Sequence, residues 1–297
     1  MKRIAILAPS FPKLTETFIR TEIDALQELG HDVSVMTFHV YPLSHVNYPV
    51  IHIQSIKLDY VLLFKQLFKF TKQQRQHIYN AIQFVKDQHS LSKLSLLYHS
   101  FKLAFKLRQQ GIEHIHAHFA QHTCAHAIVA AKIINIPCSF VAHGHDLYVA
   151  PFDIALKLQH SDLAVAVCQD MLIDLQAYYP GNIQLLHCGV NTDKFLPPPN
   201  LNVLPHLTSA ASATLRMVFV GRLIEQKGLT YLINALSLLP TEIVFELAVI
   251  GDGELKKQLE AQVKALNLTR EIIFVGEQDS QWLRASRPIC FRCSSVS

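Results

Sequence analysis

The stretch MVFVGRLIEQKGLTYLINALSLL, residues 217–239, contains an apolar run, a glycine-bounded turn and a helical pattern, in that order. The run MVFV has the character of a buried strand, and LTYLINALSLL repeats apolar residues at helical spacing. The sequence therefore predicts a strand, a turn and a helix. In a parallel sheet such a turn lies at the carboxyl edge, where ligands of these folds bind.

The turn GRLIEQKG carries two cations, Arg222 and Lys227, between Gly221 and Gly228. Backbone N–H groups at a helix start favour an anion, a guanidinium can fork two phosphate oxygens, and an ammonium adds a point charge. A pyrophosphate group fits this chemistry, although the residue order of a Walker loop is absent. A solvated turn in which Arg222 pairs with Glu225 fits the same residues, so the turn alone leaves both interpretations open.

Strand and helix patterns alternate on both sides of this turn. Such alternation predicts an α/β fold whose parallel sheets are covered by helices on both faces. Residues 196–214 break the rhythm with prolines and a Ser/Ala/Thr-rich run, which indicates a linker. We therefore expect two doubly wound, Rossmann-like lobes facing a cleft, with residues 1–195 forming the first lobe and 215–297 forming part of the second.

Composition excludes several classes of protein. The chain has 297 residues, of which 50% are hydrophobic and 17% charged, so it is not a disordered chain. A net charge of +4 is too small to indicate nucleic acid as a partner. Only Cys290 and Cys293 have the CxxC spacing, and no second pair accompanies them as a zinc site would need. No apolar run reaches transmembrane length, and we expect a cytoplasmic protein with free thiols.

The segment 57–108 is basic and amphipathic. Its ten Lys and Arg residues stand among Leu and Phe residues at helical spacing, with only Asp59 and Asp87 as acidic residues. Two interpretations remain open. The segment forms surface helices packed on the first lobe, or it docks peripherally onto an anionic membrane, which here would be the inner membrane face.

Several separated motifs together resemble one family. They are VFVGRLIEQKGL, the glycine turn GDGE (251–254), VGE (275–277) and HCGVNTDKF (187–195). In type and order they resemble the family-4 group of retaining glycosyltransferases with the GT-B fold. PSFPKLTETFIRTEI (9–23) resembles the opening of the members that build polysaccharide, lipopolysaccharide or colanic acid. The resemblance covers residues 1 to about 283.

The resemblance implies a donor site and an acceptor loop. Arg222 and Lys227 would bind the diphosphate of a nucleotide sugar and stabilise the leaving group, so neither a metal ion nor a cofactor is expected. The partners implied are that donor and a carbohydrate or lipid-linked acceptor. The other implied positions are Gly221, Gly251, Gly253, Glu254 and Gly276 for the donor nucleotide pocket, and Thr15, Glu16, Thr17 and Asp146 for the loop near acceptor and sugar.

The histidines allow three interpretations. His114, His116 and His118 alternate and so share one face of a strand, while His122 and His126 are one helical turn apart. These positions fit structural histidines, and they also fit a metal cluster, although the sequence shows no carboxylate or Cys that completes a ligand set. The resemblance implies a third role, contact with the transferred sugar, for two residues that end strands, His118 and His143. Because transfer on one face of the sugar requires no protein nucleophile, the absence of a pair of catalytic carboxylates is compatible with retaining transfer.

The chain departs from the family pattern after Gly276. The family's pair of donor-binding glutamates is missing, since Glu271 and Glu277 come too early. We interpret residues 287–297 as the product of a frameshift or premature stop, and the second lobe as incomplete. This predicts weak donor binding and little or no transfer. A non-catalytic remnant that binds nucleotide sugar weakly is the alternative, and a sugar-nucleotide epimerase is disfavoured by the basic segment and the opening motif.

Overall fold

A computed structural model describes residues 1–13, 16–41, 46–56, 71–189 and 214–278 of the chain. The chain divides into two compact units, Met1–Val190 and Asn191–Ser297. Two segments singled out in the sequence lie outside the described residues. They are the expected linker, apart from Thr214, and residues 287–297, which we interpret as the product of a frameshift or premature stop.

Unit 1 contains a seven-stranded parallel sheet in the order β3-β2-β1-β4-β5-β6-β7. The order reverses between β1 and β4, which makes this pair the topological switch point where such sheets form a ligand crevice. The strands are β1 (Arg3–Phe11), β2 (Asp32–Val40), β3 (Val50–His52), β4 (His114–His118), β5 (Cys138–Val141), β6 (Leu163–Ala166) and β7 (Ile183–Leu185).

Helices cover both faces of this sheet, as parallel strands require. Along the chain these helices lie between the strands, and the other described connections are loops and one short 3-10 helix, Ile53–Ser55. The described helices of unit 1 are α1 (Thr17–Glu28), α2 (Lys72–Asp87), α3 (Lys93–Gln109), α4 (His122–Ile134), α5 (Gly144–Tyr148), α6 (Ile154–His160) and α7 (Gln169–Tyr178).

The alternation of side chains along β1 supplies both layers of the core. Ile4 and Ile6 pack with Ile19 and Ile23 of α1 on one face. Ala5 and Leu7 point to the opposite face, as the period of two along a strand requires, and join the larger cluster there. Helix α4 lies within that larger cluster, and its residues 123–131 are all buried, so the helix is covered on every side there.

Unit 2 contains the described strands β8 (Leu215–Val220), β9 (Phe245–Ile250) and β10 (Ile272–Gly276), parallel and in the order β10-β9-β8. Helices α8 (Leu229–Ser237) and α9 (Lys256–Ala265) pack on them. The strand, turn and helix predicted over 217–239 are confirmed, and so is the parallel α/β fold class of both units. The short strand β3 and the five-residue helix α5 were not predicted.

The basic segment is described from residue 71 onward, as α2 and α3, and residues 57–70 lie outside the description. One face of each helix packs on the protein, because Phe84 of α2 and Leu96, Leu103 and Leu107 of α3 are buried in the core of unit 1, although Leu94 is 82% exposed. In this part of the segment the structure therefore favours surface helices packed on the lobe. Among the described helices, none combines the length and apolar character that crossing a membrane requires.

Candidate functional site

The carboxyl edge of the unit 1 sheet brings His118 and His143 together. His118 is the last residue of β4, and His143 lies two residues after the end of β5, so neighbouring parallel strands bring both rings to one edge. The rings stack with centroids 6.0 Å apart. Phe18 from the first turn of α1 packs on both, at 4.6 Å from the His143 ring and 5.8 Å from the His118 ring. The opening motif and the two histidines therefore form one cluster.

Glu22 joins this cluster and was missed in the sequence. Its carboxylate lies 3.4 Å from Nε2 of His118 and 3.4 Å from Nε2 of His116, with 35% of its side chain exposed. The spacing of Glu22 from Phe18 could have indicated it, because the two residues are one helical turn apart and share one face of α1. The contact itself follows from the switch point, which places α1 against β4.

Burial controls the protonation of these side chains. It lowers the pKa of His118 well below its usual value, that of His116 to about 3 and that of His143 to about 4. Burial also raises the pKa of Glu22 to about 7. An ion pair would shift each group in the opposite direction. Near neutral pH the histidines are therefore uncharged rings with one donor and one acceptor nitrogen each, which suits contact with hydroxyl groups.

Asp146 holds the two turns that carry the histidines. Its Oδ2 accepts a hydrogen bond from the backbone N–H of Ala120, at 2.8 Å, and another from the N–H of His143, at 2.9 Å. The residue is 0% exposed, and its burial raises the pKa of the carboxyl group. The sequence placed Asp146 near the sugar as a polar neighbour, whereas the structure shows it bonded to the backbone beneath that site.

A buried lysine supports the same turn from the other side. Lys157 donates hydrogen bonds from Nζ to the carbonyl oxygens of Ala120, at 2.8 Å, and Phe152, at 2.6 Å. Burial lowers the pKa of this ammonium group. Between His118 and Ala120, Phe119 adopts a left-handed backbone conformation with φ of 71°, which is rare for a residue with a large side chain. The turn after β4 is thus held in an unusual conformation by buried charges.

The loop before α1 is described only in part. Thr15 lies outside the described residues. Glu16 precedes the helix and pairs through Oε1 with Nζ of Lys13 at 3.1 Å, and Thr17 is exposed at the first position of α1. Glu16 and Thr17 thus lie directly before Phe18, on the side of the histidine cluster.

In unit 2 the turn GRLIEQKG connects β8 to α8 through a short 3-10 helix, Glu225–Lys227. Arg222 and Lys227 are both exposed, and within the described part of the chain neither forms an ion pair. The pairing of Arg222 with Glu225 that would mark a plain surface turn is absent there. The Lys227 stem folds back over Gly221, with Cδ 3.9 Å from the position of a Cβ on that glycine. Both cations thus belong to one surface at the end of β8.

The second glycine turn packs against this first one. A Cβ on Gly251 would collide with the carbonyl oxygen of Gly221, and one on Gly253 would lie 2.5 Å from the carbonyl oxygen of Leu223. These glycines are therefore required by the contact between the two turns, whatever they bind. Gly276 adjoins them, because its carbonyl oxygen accepts a hydrogen bond from the N–H of Gly251 at 2.9 Å, and Glu254 is exposed beside the turn.

Two surface hollows of unit 1 lie at the opposite edge of the sheet. One is lined by residues that include Gly111 and Ile136, and the other by residues that include Cys138 and Asp162. These residues precede or begin β4, β5 and β6, at their amino ends. Ligands of doubly wound sheets bind at the carboxyl ends, so the chemistry is assigned to the edge with the histidine cluster.

Among curated proteins, the chain is similar to two uncharacterized glycosyltransferases of Methanocaldococcus jannaschii. It is 26% identical to MJ1178 over 184 residues, which cover 59% of this chain and 47% of that protein. It is 33% identical to MJ1059 over 78 residues, which cover 26% of this chain and 19% of that protein. The chain thus matches about half the length of the first relative and less of the second.

Solved structures show the same fold. Anabaena Alr3699/HepE in complex with UDP-glucose has a TM-score of 0.61 at 14% identity, covering 93% of this chain and 70% of that chain. The lipopolysaccharide outer core galactosyltransferase WaaB, in its apo form, has a TM-score of 0.53 at 15% identity, covering 96% of this chain and 71% of that chain. At such identities the likeness establishes the fold alone.

Two family models match the chain, one in each unit. The model described as Glycosyl transferases group 1 matches residues 210–287, which include the Arg222 and Lys227 turn. The model described as Glycosyltransferase Family 4 matches residues 15–194, which include Phe18, Glu22 and the histidine cluster. Because residues 15–194 are more than half of this chain, the chain belongs to Glycosyltransferase Family 4.

Proposed function

We propose that this protein transfers a sugar, with retention, from a nucleoside diphosphate sugar to a surface polysaccharide or lipid-linked acceptor. The observation that carries the proposal is the pair of exposed cations, Arg222 and Lys227, on the turn between β8 and α8 of a family-4 chain. The presence of UDP-glucose in the HepE structure supports this class of donor.

In this proposal the β8–α8 turn binds the donor diphosphate. Arg222 contacts phosphate oxygens through two N–H groups, and Lys227 adds a second positive charge. Charge develops on the diphosphate as the bond to the sugar breaks, so these cations stabilise the transition state more than the ground state. The transfer then needs neither a metal ion nor a cofactor. Gly221, Gly251, Gly253, Glu254 and Gly276 border the nucleotide.

His118 and His143 contact the transferred sugar. Both rings are uncharged near neutral pH and lie at the carboxyl edge of the unit 1 sheet, and His118 lies beside Glu22. A neutral imidazole can donate to one hydroxyl and accept from another, which suits a sugar. Asp146 acts indirectly, by fixing the backbone at His143 and Ala120. The retention of configuration follows from departure and attack on the same face of the sugar.

The acceptor lies beside the loop before α1, where Thr15, Glu16 and Thr17 border the sugar. A lipid-linked acceptor would bring the protein to the cytoplasmic face of a membrane. Exposed Lys72, Arg75 and Lys86 of α2 supply charge for peripheral contact with anionic lipid. Because the apolar side of α2 is buried in the protein, this contact would be electrostatic rather than an insertion.

A transfer assay tests the proposal. The protein is incubated with UDP-glucose, UDP-galactose or GDP-mannose and a carbohydrate acceptor, and NMR follows the anomeric configuration of the product. Any product formed from an axial donor should carry an axial linkage. Product formation should be lost in Arg222→Ala and His118→Ala and kept in Arg216→Ala. An inverted product contradicts retention. Donor binding without any product contradicts the proposed transfer and favours a non-catalytic nucleotide-sugar binder.

A further inference from the structure

The switch point of the unit 1 sheet places one carboxylate against two histidines. Glu22 lies on α1, and His116 and His118 share one face of β4, since alternate residues of a strand point the same way. One ligand atom of each side chain lies within 4.8 Å of the others. Two imidazoles and a carboxylate are a ligand set that Zn²⁺ and other divalent transition metals use in proteins.

The distances fit metal coordination better than hydrogen bonding. Nε2 of His116 lies 3.4 Å from Oε1 of Glu22, and Nε2 of His118 lies 3.4 Å from Oε2 of Glu22. N–H···O hydrogen bonds are normally about 2.7–3.2 Å long. Two ligands that lie about 2.0–2.1 Å from a tetrahedral metal ion are separated by about 3.3–3.4 Å. Each of the two separations therefore has the length of one edge of such a site, and the ligand atoms all lie within 4.8 Å of one another.

The histidine nitrogens have no other partner to satisfy them. Within residues 1–13, 16–41, 46–56, 71–189 and 214–278, Nε2 of His116 and both ring nitrogens of His118 form no hydrogen bond. His118 is only 1% exposed. Buried polar atoms nearly always form hydrogen bonds, so unpaired nitrogens in a position shielded from solvent need an explanation. A metal ion held between Glu22 and the two rings supplies the missing partner of both Nε2 atoms.

A serine supports the second nitrogen of His116. Nδ1 of His116 lies 2.7 Å from Oγ of Ser139, and the same Oγ lies 2.7 Å from Nε2 of His114. When Nε2 of His116 binds a metal ion, Nδ1 carries the ring proton and donates a hydrogen bond to Oγ of Ser139. The hydroxyl group then donates a hydrogen bond to Nε2 of His114. Metal-binding histidines usually donate their other N–H group in this way, which fixes the ring.

We propose that Glu22, His116 and His118 bind a divalent transition metal ion, with Zn²⁺ as the preferred ion. The ion is bound by Nε2 of each histidine and by the carboxylate of Glu22, and a further coordination position opens on the exposed side of Glu22. The sugar transfer proposed above needs no metal ion, but the metal site and the proposed sugar site share His118. A bound ion occupies Nε2 of His118 and thereby withholds that nitrogen from a sugar.

Calorimetry on the EDTA-treated and dialysed protein tests the site without measuring activity. ZnCl₂ should bind to one site per chain. We expect Ser139→Ala to weaken binding about 10- to 100-fold, the usual cost of removing such a supporting partner. Glu22→Gln and His118→Asn should weaken it at least as much. The control His122→Gln, which breaks another closely spaced histidine pair, His122 and His126, should leave the affinity unchanged.

Cobalt reports the ligands directly. Co²⁺ bound to the parent protein should show the intense visible absorption of a tetrahedral site. Glu22→Gln should lack this absorption while still unfolding cooperatively in EDTA, which shows that the variant is folded. The proposal is overturned if the folded variant keeps the absorption, if the parent binds no Zn²⁺, or if His122→Gln loses as much affinity as His118→Asn.

Discussion

Asp146 and Lys157 bind opposite polar groups of one residue, Ala120. The Asp146 carboxylate accepts from its N–H at 2.8 Å, and the Lys157 ammonium group donates to its carbonyl oxygen at 2.8 Å. Both charged groups are almost completely buried. Two buried charges are thus used to fix the turn that carries His118, and each is costly to remove alone because the other then stays buried without compensation.

Removal of the Asp146 carboxylate should destabilise unit 1. Asp146→Ala leaves the N–H groups of Ala120 and His143 unpaired in the protein interior, and the loss should be about 2–4 kcal/mol of unfolding free energy. Urea unfolding followed by circular dichroism measures it. The exposed Asp170→Ala serves as the control and should change stability by less than about 0.5 kcal/mol. Equal effects of the two changes would contradict the role given to Asp146.

Two glycines with left-handed backbones should respond differently to alanine. Gly251→Ala drives a Cβ into the carbonyl oxygen of Gly221, so we expect unit 2 to lose its cooperative unfolding transition. Gly276→Ala meets no atom within 4 Å and should cost only the conformational strain, about 1–2 kcal/mol. Thermal unfolding compares the two variants. If Gly251→Ala is as stable as Gly276→Ala, the close contact between the two turns does not exist.

A buried histidine away from the site predicts a dependence of stability on pH. Burial lowers the pKa of His126 to about 4, from the ordinary value of 6.5. Between these values the unfolded chain binds the proton and the folded chain does not, so stability present above pH 6.5 is lost as the pH falls toward 4. The contribution is about 3 kcal/mol at most.

His126→Gln removes this titration. The melting temperature of the variant should therefore fall less steeply than that of the parent between pH 6.5 and pH 4, and the two should run parallel above pH 7. Differential scanning calorimetry in EDTA measures both. Identical slopes below pH 6.5 would show that the pKa of His126 is the same in the folded and the unfolded protein.

Contact with an anionic membrane should depend on the charges of α2. Vesicles rich in phosphatidylserine should retain the protein at low salt and release it at high salt. Lys72→Glu/Arg75→Glu should abolish retention, since each basic residue near the surface contributes about 1 kcal/mol. Lys257→Glu/Lys264→Glu on α9 makes the same change of net charge and should keep it. Equal loss in both variants would indicate unspecific attraction rather than docking through α2.

The sequence predicted most of the fold because periodicity reports local burial. The strand and helix over 217–239 and the alternation through unit 1 are confirmed at element level. The strand Val50–His52 escaped prediction because three residues are too few for a period to show. The helix Gly144–Tyr148 was not predicted either, because five residues are also too few for a helical period to show.

The candidate site was harder to predict, because it is made by contacts between distant parts of the chain. His118 and His143 were indicated by their positions at strand ends, and the structure brings them together. Glu22 was missed, since only the switch point of the sheet places α1 beside β4. The buried role of Asp146 was missed as well, because nothing in the spacing shows that two backbone N–H groups converge on it.

Titration of the protein with UDP and GDP by calorimetry tests the central claim most directly, namely that Arg222 and Lys227 bind a donor diphosphate. We expect binding of one of the nucleotides, weakened about 10- to 100-fold in Arg222→Ala and in Lys227→Ala, since a charged hydrogen bond contributes about 1.5–3 kcal/mol. Arg216→Ala removes an exposed arginine of β8 that pairs with Glu246 at 3.3 Å, and should bind as the parent does. Absence of binding by the parent, or equal weakening in Arg216→Ala, would contradict the claim.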